Sequence, residues 1–391
     1  MLAMREFPAK WLDMERCQMN RIVLKKVRED TLEDDASRLS DMPGSHEFWN
    51  FFAFDLNGDL GISMIFLSAN MWDVNMRNAV YTWRKDQEKS PPPGSADYFL
   101  LQLNVTKGAE KIFSSVKNPP GTKVEFSPAE PRGRIGQSTF YGSMVKETKT
   151  YKVHIDAADT MNTLRLKADV EFHAASPGFA VDGAGLFGEI PGGQIHDWQW
   201  PIGYPQTSGT VLVTDRSCGT LLSESFSKGG GYVDHMWGEG LLSDVLDSWY
   251  FGRIDLGSKG ALVYVWLTPK LRKGKPYGRV FRIPWGGLAS SHDIISFTGA
   301  ELRTGSFGLE YYSDLRFTLA GGGAVQSIFG NPAVEDWPFQ VAGPAVISVD
   351  IPGDVSVTGQ PGLGEYLQQE GIDSEAYQLM FSALHDMPWN P

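Results

Sequence analysis

The sequence is poor in the residues that build disulfide frameworks, metal centres and membrane spans. Its 391 residues include only two cysteines, Cys17 and Cys218, and seven scattered histidines. It contains no CxxC pair, zinc-ligand spacing or HExxH motif, so neither a disulfide framework nor a metal site is predicted. No run of about 18 apolar residues occurs, and Met1–Asn20 lacks the apolar core of a secretory signal. We therefore expect a cytoplasmic protein without a membrane span.

The charge balance and the missing catalytic motifs exclude further classes of function. The formal net charge is -12 at pH 7 and no block of basic residues stands out, so nucleic acid and anionic membranes are poor partners. The GxSxG signature of a hydrolase nucleophile is absent. The glycine run Gly321–Gly323 lacks the lysine and the serine or threonine of a phosphate-binding loop. Neither serine-based hydrolysis nor nucleotide binding is predicted.

Glycine, aromatic residues and strand-like patterns are what the sequence has in quantity. Its 43 glycines and 12% aromatic residues are typical of a sheet-rich protein with many turns. Apolar and charged residues alternate along Thr163–His173, as in a half-buried antiparallel strand. Phe48–Phe54 and Val80–Arg84 also have strand character, whereas Ser176–Gly193 is predicted to be a long glycine-rich loop. The absence of a regular strand–helix alternation argues against a parallel sheet.

Length and pattern together predict an all-β protein with two domains. We expect a polar arm over residues 1–44, a β-sandwich-like domain over 45–245 and a second β domain over 246–391. One short amphipathic helix is predicted near the end of the second domain. Its apolar positions have helical spacing and follow two capping candidates, Asp373 and Ser374. These apolar positions are Tyr377, Met380, Phe381 and Leu384.

The most informative stretch is Gly231–Gly238, which places Tyr, Asp, His and Trp between glycines in a segment of strand character. In an extended strand His235 and Trp237 share one face, while Tyr232 and Asp234 share the other. A titratable group beside a large aromatic on a rigid strand can form the floor of an apolar pocket. The structural alternative is a histidine–aspartate hydrogen bond beneath a packed tryptophan.

Other acidic and aromatic residues are further candidates. Glu47 alternates with Trp49 on one strand face, and a carboxylate among aromatics is costly unless it is hydrogen-bonded. Alternatively, the strand begins at Phe48 and leaves Glu47 on the rim. Twelve tryptophans, several beside acids, favour an aromatic-lined pocket in addition to core packing. The remaining aromatic candidates are Trp198, Trp200, Tyr264, Trp266 and Trp337.

Three motifs carry a resemblance to a known family. Gly231–Gly238 resembles the Gly-Tyr-His-Asp-His-Asn-Trp-Gly signature of the carotenoid hydratase-like lipocalin superfamily, with Val233 in place of the first histidine and Met236 in place of the asparagine. Glu47–Trp49 resembles that family's Glu-Trp-Trp opening, and Trp198–Pro201 resembles its approach to the signature. The resemblance covers most of residues 44 to 355.

The resemblance implies a sandwich-like N-terminal domain, a C-terminal lipocalin-like β-barrel and a ligand pocket between them. Family members include carotenoid hydratases and fungal Diels–Alderases that form decalin rings, and this chain is most similar to the latter. The hydratases carry a histidine and a tryptophan that match His235 and Trp237, followed by a Tyr-x-Asp pattern. Here Tyr264 and Trp266 stand at the nearest counterpart, so the acid is replaced. Because hydration of an alkene needs a proton donor, the replacement favours a pericyclase.

The expected function is therefore a stereoselective intramolecular Diels–Alder cyclisation of a linear polyene polyketide, with a tetramic acid as its polar head. No cofactor is needed, because the barrier is largely the ordering of a flexible chain. The expected partner is this small-molecule substrate, and a sheet edge leaves an oligomer open. The alternatives are a hydratase or isomerase of an isoprenoid or polyene chain and a non-catalytic lipocalin-like carrier of apolar ligands.

Four residues are the candidate catalytic groups: Glu47, Asp234, His235 and Trp237. Glu47 is expected to anchor the polar head, while Asp234 and His235 are expected to support the pocket floor. Replacing Glu47 by Gln or Trp237 by Ala should reduce cyclisation or stereocontrol without unfolding the protein. The substrate-binding candidates are Trp49, Trp200, Tyr232, Tyr264, Trp266 and Trp337.

Overall fold

The computed structural model describes residues 26–55, 57, 59–87, 91–108, 110–117, 123–181, 195–270, 275–330, 335–375 and 377–378. Its described strands form two antiparallel sheets, which are consecutive in the sequence. The first sheet uses strands that end before residue 239, and the second uses strands that begin at residue 246. The all-β class predicted from the sequence is confirmed.

The first sheet contains twelve strands and curls around its own apolar core. Its order is β5-β4-β3-β2-β12-β11-β10-β9-β8-β7-β6, and β1 pairs with β10. The strands are β1 (Val27–Glu29), β2 (His46–Asp55), β3 (Leu60–Ala69), β4 (Leu100–Lys107), β5 (Glu110–Lys117), β6 (Val124–Phe126), β7 (Arg132–Ile135), β8 (Ser138–Val145), β9 (Thr148–Ala158), β10 (Leu164–Val181), β11 (His196–Asp215) and β12 (Thr220–Gly238).

Two local predictions for the first sheet fail. The strand predicted over Val80–Arg84 lies in α1 (Val74–Lys85), a helix whose first turn is capped by the Asp73 carboxylate. Ser176–Val181, predicted as part of a loop, continues β10 beyond a bulge. Pro177 and Gly178 follow directly at this bulge. A glycine is required at 178 because the backbone there passes the Pro201 carbonyl too closely for a side chain. The rest of that predicted loop lies outside the described residues.

The second sheet closes into an eight-stranded barrel through the pairing of β18 with β20. Its order is β18-β17-β16-β15-β14-β13-β21-β20-β19. Side chains fill the interior, as is usual for small barrels. The strands are β13 (Leu246–Asp255), β14 (Ala261–Pro269), β15 (Tyr277–Ile283), β16 (Ser290–Thr304), β17 (Glu310–Leu319), β18 (Ala324–Phe329), β19 (Glu335–Asp336), β20 (Gln340–Ile351) and β21 (Val355–Gln368).

The chain beyond the barrel begins with a short 3-10 helix, Gln369–Asp373. Tyr377, the first apolar position of the predicted C-terminal helix, is buried and donates a hydrogen bond to the Trp72 carbonyl over 2.7 Å. The other predicted positions, Met380, Phe381 and Leu384, lie outside the described residues. Among the helices of the described ranges, none combines the length and the apolar character needed to cross a membrane.

The two sheets meet through a layer of stacked aromatic rings, here called the inter-sheet aromatic layer. Trp198 stacks on Phe251 with ring centroids 5.3 Å apart, and Trp200 meets Phe281 at 4.9 Å. Burial of rings this large makes the layer a major contributor to the docking of the sheets. The layer consists of Phe179, Trp198, Trp200 and Tyr232 from the first sheet and Trp249, Phe251 and Phe281 from the barrel.

Candidate functional site

Strand β12 divides the predicted site residues between the two faces of the first sheet. His235 points into the core of the first sheet, where it meets Trp49. Asp234 points the opposite way and bonds Trp198 and Tyr232 of the inter-sheet aromatic layer. This division follows from the alternation of side chains along a strand. The two neighbouring titratable residues therefore belong to separate clusters.

The first cluster is built around a fully buried histidine–glutamate pair. His235 Nε2 lies 3.0 Å from Glu47 Oε1, and neither side chain is exposed. The Trp49 ring lies almost parallel to the imidazole, with centroids 4.3 Å apart. The Gln199 amide nitrogen lies 3.1 Å from His235 Nδ1 and donates to the Asp34 carbonyl. With the amide as donor, the imidazole carries its proton on Nε2 and donates to Glu47.

Glu47 also holds part of the predicted arm against the sheet. Its carboxylate accepts hydrogen bonds from the hydroxyls of Ser37 and Ser68, both over 2.7 Å, and from the backbone N–H of Arg38. Together with His235, these donors occupy the oxygens of the carboxylate. Because β2 begins at His46, Glu47 is inside the sheet and not on its rim.

This arrangement corrects the structural alternative considered for the histidine. The predicted histidine–aspartate hydrogen bond is wrong, because His235 and Asp234 lie on opposite faces of β12. The carboxylate that meets the imidazole comes from Glu47 on the neighbouring strand, and the tryptophan packed on it is Trp49. The imidazole does bond a carboxylate beneath a packed tryptophan, but the carboxylate belongs to a glutamate that is distant in sequence.

The second cluster is a buried carboxyl group at the inter-sheet aromatic layer. Asp234 Oδ2 accepts hydrogen bonds from Trp198 Nε1 over 2.5 Å and from the Tyr232 hydroxyl over 3.0 Å. The Tyr232 oxygen in turn accepts from Trp200 Nε1 over 2.8 Å. Burial raises the pKa of Asp234 to about 7, because loss of hydration outweighs the hydrogen bonds from Trp198, Tyr232 and Asn50 that favour the anion. Near neutral pH this carboxyl group can donate a proton or a hydrogen bond.

Arg253 is a neighbour of this cluster that the sequence reasoning did not single out. It lies on β13, is 7% exposed, and places Cζ 4.9 Å from the centroid of the Tyr232 ring. Its Nη1 and Nη2 atoms have no hydrogen-bond acceptor among the described residues. The signal in the sequence was a single arginine within Trp249–Ile254, a part of β13 that is otherwise apolar or glycine.

The remaining aromatic candidates are divided among three places. Trp237 lies opposite Glu47 on the paired strands and is half-buried. Tyr264 and Trp266 point into the barrel interior, where the Tyr264 hydroxyl donates to Ser327 over 2.9 Å. Trp337 is partly buried against the cluster that contains the inter-sheet aromatic layer. Three predicted site residues therefore lie in this layer or bond to it: Trp200, Tyr232 and Asp234.

Within the part of the chain that the structure describes, no group of three or more His, Cys, Asp or Glu side chains is arranged to hold a metal ion.

Comparisons with known proteins show a shared architecture. No protein-family model matches the chain. It is 23% identical over 376 residues to a Chlorobaculum tepidum protein named hydroxyneurosporene dehydrogenase, with 90% of each sequence covered. The crystal structure of an AttH candidate from Nitrosomonas europaea matches with a TM-score of 0.52 at 13% identity, covering 86% of this chain and 96% of that one. The crystal structure of CghA matches with a TM-score of 0.50 at 9% identity, covering 88% of this chain and 97% of that one.

The chain has the fold of these two solved structures. The all-β fold that the family resemblance implied for this chain is confirmed, since these two structures share its architecture. The match extends over both sheets, since it covers most of each chain. At these identities similarity of structure establishes the architecture, whereas the reaction depends on the side chains at the site.

Proposed function

We propose that this protein is a cofactor-independent pericyclase that closes a ring in a linear polyene held at the inter-sheet aromatic layer. The observation that carries the proposal is Asp234, a carboxyl group that burial keeps partly protonated beside stacked aromatic rings. Flat aromatic walls suit a conjugated chain, and a protonated carboxyl group supplies a directed hydrogen-bond donor. The proposed substrate is a polyketide with a tetramic acid head, and the proposed product is a decalin.

The reaction requires the protein only to order the substrate chain and to polarise one of its carbonyl groups. In the cyclisation the two π bonds of the diene and the one of the dienophile are replaced by two carbon–carbon σ bonds and one new π bond, and no proton or electron leaves the substrate. Holding diene and dienophile in contact removes much of the entropic barrier. A hydrogen bond from Asp234 to a carbonyl conjugated with the dienophile stabilises the charge that grows on its oxygen. A reduction of about 4 kcal/mol in the barrier corresponds to roughly a thousandfold acceleration.

Two of the remaining candidate catalytic residues, Glu47 and His235, have a supporting role in this proposal. Glu47 and His235 bond one another within the core of the first sheet, and Glu47 also bonds the arm. They therefore fix β2 against β12, the strand that presents Asp234 on its other face. This positioning role replaces the direct anchoring of the polar head that the sequence suggested for Glu47.

The proposal is tested by incubating the purified protein with a linear polyenoyl tetramic acid. We expect a product of unchanged mass that is enriched in one decalin stereoisomer relative to the spontaneous mixture, as resolved by chiral chromatography and mass spectrometry. Heat-denatured protein provides the control. A product distribution identical to the spontaneous one would overturn the proposal.

A second candidate function, an alkene hydratase or isomerase, is favoured by the same Asp234. A carboxyl group with a pKa of about 7 can give its proton to an alkene carbon, after which water adds to the neighbouring carbon and returns a proton to the carboxylate. This route supplies the acid that Trp266 replaces at the family position. A product that gains one water, and carries oxygen-18 when formed in labelled water, would support this function against the pericyclase.

A further inference from the structure

Among the buried arginines of the described residues, Arg253 is the one whose two terminal nitrogens are both buried without a hydrogen-bond partner. Its Nη1 and Nη2 atoms are buried and have no acceptor in the described part of the chain. A guanidinium group stays charged in proteins, and burying a charge without a partner is costly. By contrast, Arg77 Nη2 bonds Asp373, Arg279 Nε bonds Asp293, and Arg282 Nη1 bonds the Ile283 carbonyl.

The surroundings hold the Arg253 cation without using its in-plane donors. Its Cζ atom lies over the face of the Tyr232 ring at 4.9 Å, a contact that leaves the N–H groups at the guanidinium edge free. The nearby Asp255 carboxylate attracts the cation but is already bonded elsewhere, since it accepts from the Tyr204 hydroxyl and the Gly257 backbone N–H. The site therefore contains a fixed positive charge with unused donors.

We propose that Arg253 binds a planar anion with two coplanar oxygens, either a carboxylate or the enolate of a 1,3-dicarbonyl, at the end of an unsaturated chain. The guanidinium edge presents two parallel N–H groups, which match such an oxygen pair in a bidentate arrangement. The Tyr232 ring that contacts Arg253 belongs to the inter-sheet aromatic layer and also bonds Asp234. An anionic head at Arg253 would therefore direct the attached chain along this layer. The identity of the chain rests on the proposed function, whereas recognition of the anion does not require turnover.

The test uses parinaric acid, a fluorescent tetraene carboxylate, and its methyl ester as a neutral match. At about pH 8 the acid is ionised, and we expect the wild-type protein to bind it at least about tenfold more tightly than the ester in a fluorescence titration. Arg253→Met is expected to abolish this preference while leaving the affinity for the ester within about threefold. Arg253→Lys, which keeps the charge but not the fork, should retain part of the preference. Competition by a saturated 3-acyl tetramic acid and by its O-methyl ether distinguishes enolate from carboxylate recognition.

Two controls separate binding from folding. Arg279→Met removes a buried arginine that already has an acidic partner, and it should preserve the preference for the acid. The melting temperature of Arg253→Met should equal or exceed that of the wild type, because the substitution removes an unpaired buried charge. Equal wild-type affinity for acid and ester, or a preference that survives in Arg253→Met, would overturn the anion site and leave polyene binding intact. Failure of both probes to bind would overturn the anion site together with the proposed function.

Discussion

Replacing Lys149 by methionine is expected to lower the free energy of unfolding by about 3–5 kcal/mol. Lys149 Nζ lies 3.0 Å from Asp30 and 2.9 Å from Asp35, and both carboxylates are completely buried. Burial, reinforced by the neighbouring Asp35 carboxylate, raises the pKa of Asp30 well above its usual range. Removing the ammonium group leaves buried carboxylates without their counter-charge. Urea denaturation of the wild type and the variant measures the loss.

The matched control for this prediction is Lys152→Met, three residues further along β9. Lys152 pairs with Glu171 over 2.9 Å, but both side chains are exposed, so their ion pair contributes little. Lys152→Met should therefore remain close to wild-type stability. Equal losses in the two variants, or no measurable loss in Lys149→Met, would contradict the role of Lys149 in holding residues 30–35 against the first sheet.

Replacing Asp234 by asparagine is expected to remove a pH dependence of stability worth about 4 kcal/mol. The pKa of Asp234 is about 7 in the folded protein and ordinarily 3.8, so between these pH values the folded protein keeps a proton that the unfolded chain has lost. The stabilisation is complete below the ordinary pKa and is lost as the pH rises through 7. About three pH units at 1.36 kcal/mol each give this magnitude.

The measurement compares the free energies of unfolding of wild type and Asp234→Asn at about pH 4 and pH 8. The stability of the variant relative to the wild type should increase across this range, and wild-type cyclisation should slow above about pH 7 as the hydrogen-bond donor is lost. Asp97→Asn, at an exposed position, serves as the control and should follow the wild type. A constant difference between Asp234→Asn and wild type would show that Asp234 titrates as an ordinary carboxylate.

Much of the fold follows from periodicity that is local in the sequence. The alternation along Thr163–His173 correctly predicts the half-buried part of β10, because pairing with β9 and β11 leaves one face buried and one exposed. Closure of the barrel through β18 and β20 has no such local signal, since it joins strands that are separated by β19. Helix α1 was missed because Val80, Tyr81 and Trp83 favour strands, although Asp73 is an N-cap signal.

The site could be predicted only in part for the same physical reason. Alternation along β12 correctly separates His235 from Asp234, but it does not say what each face meets. The partner of His235 depends on the pairing of β12 with β2, and the neighbours of Asp234 depend on the docking of the barrel. Arg253 was missed because an arginine on a barrel strand ordinarily faces solvent. Its burial arises only when the outer face of β13 is covered by the first sheet.

The most direct test of a substrate site at the inter-sheet aromatic layer is the product stereochemistry of two matched variants. Trp200 lies in this layer, whereas Trp266 lies in the barrel interior, stacked on Phe297 at 5.4 Å. With the linear polyenoyl tetramic acid as substrate, Trp200→Phe should shift the ratio of decalin stereoisomers towards the spontaneous mixture. Trp266→Phe should retain the wild-type ratio, with circular dichroism confirming that both variants are folded. A shifted ratio in Trp266→Phe and an unchanged one in Trp200→Phe would instead place the reaction inside the barrel.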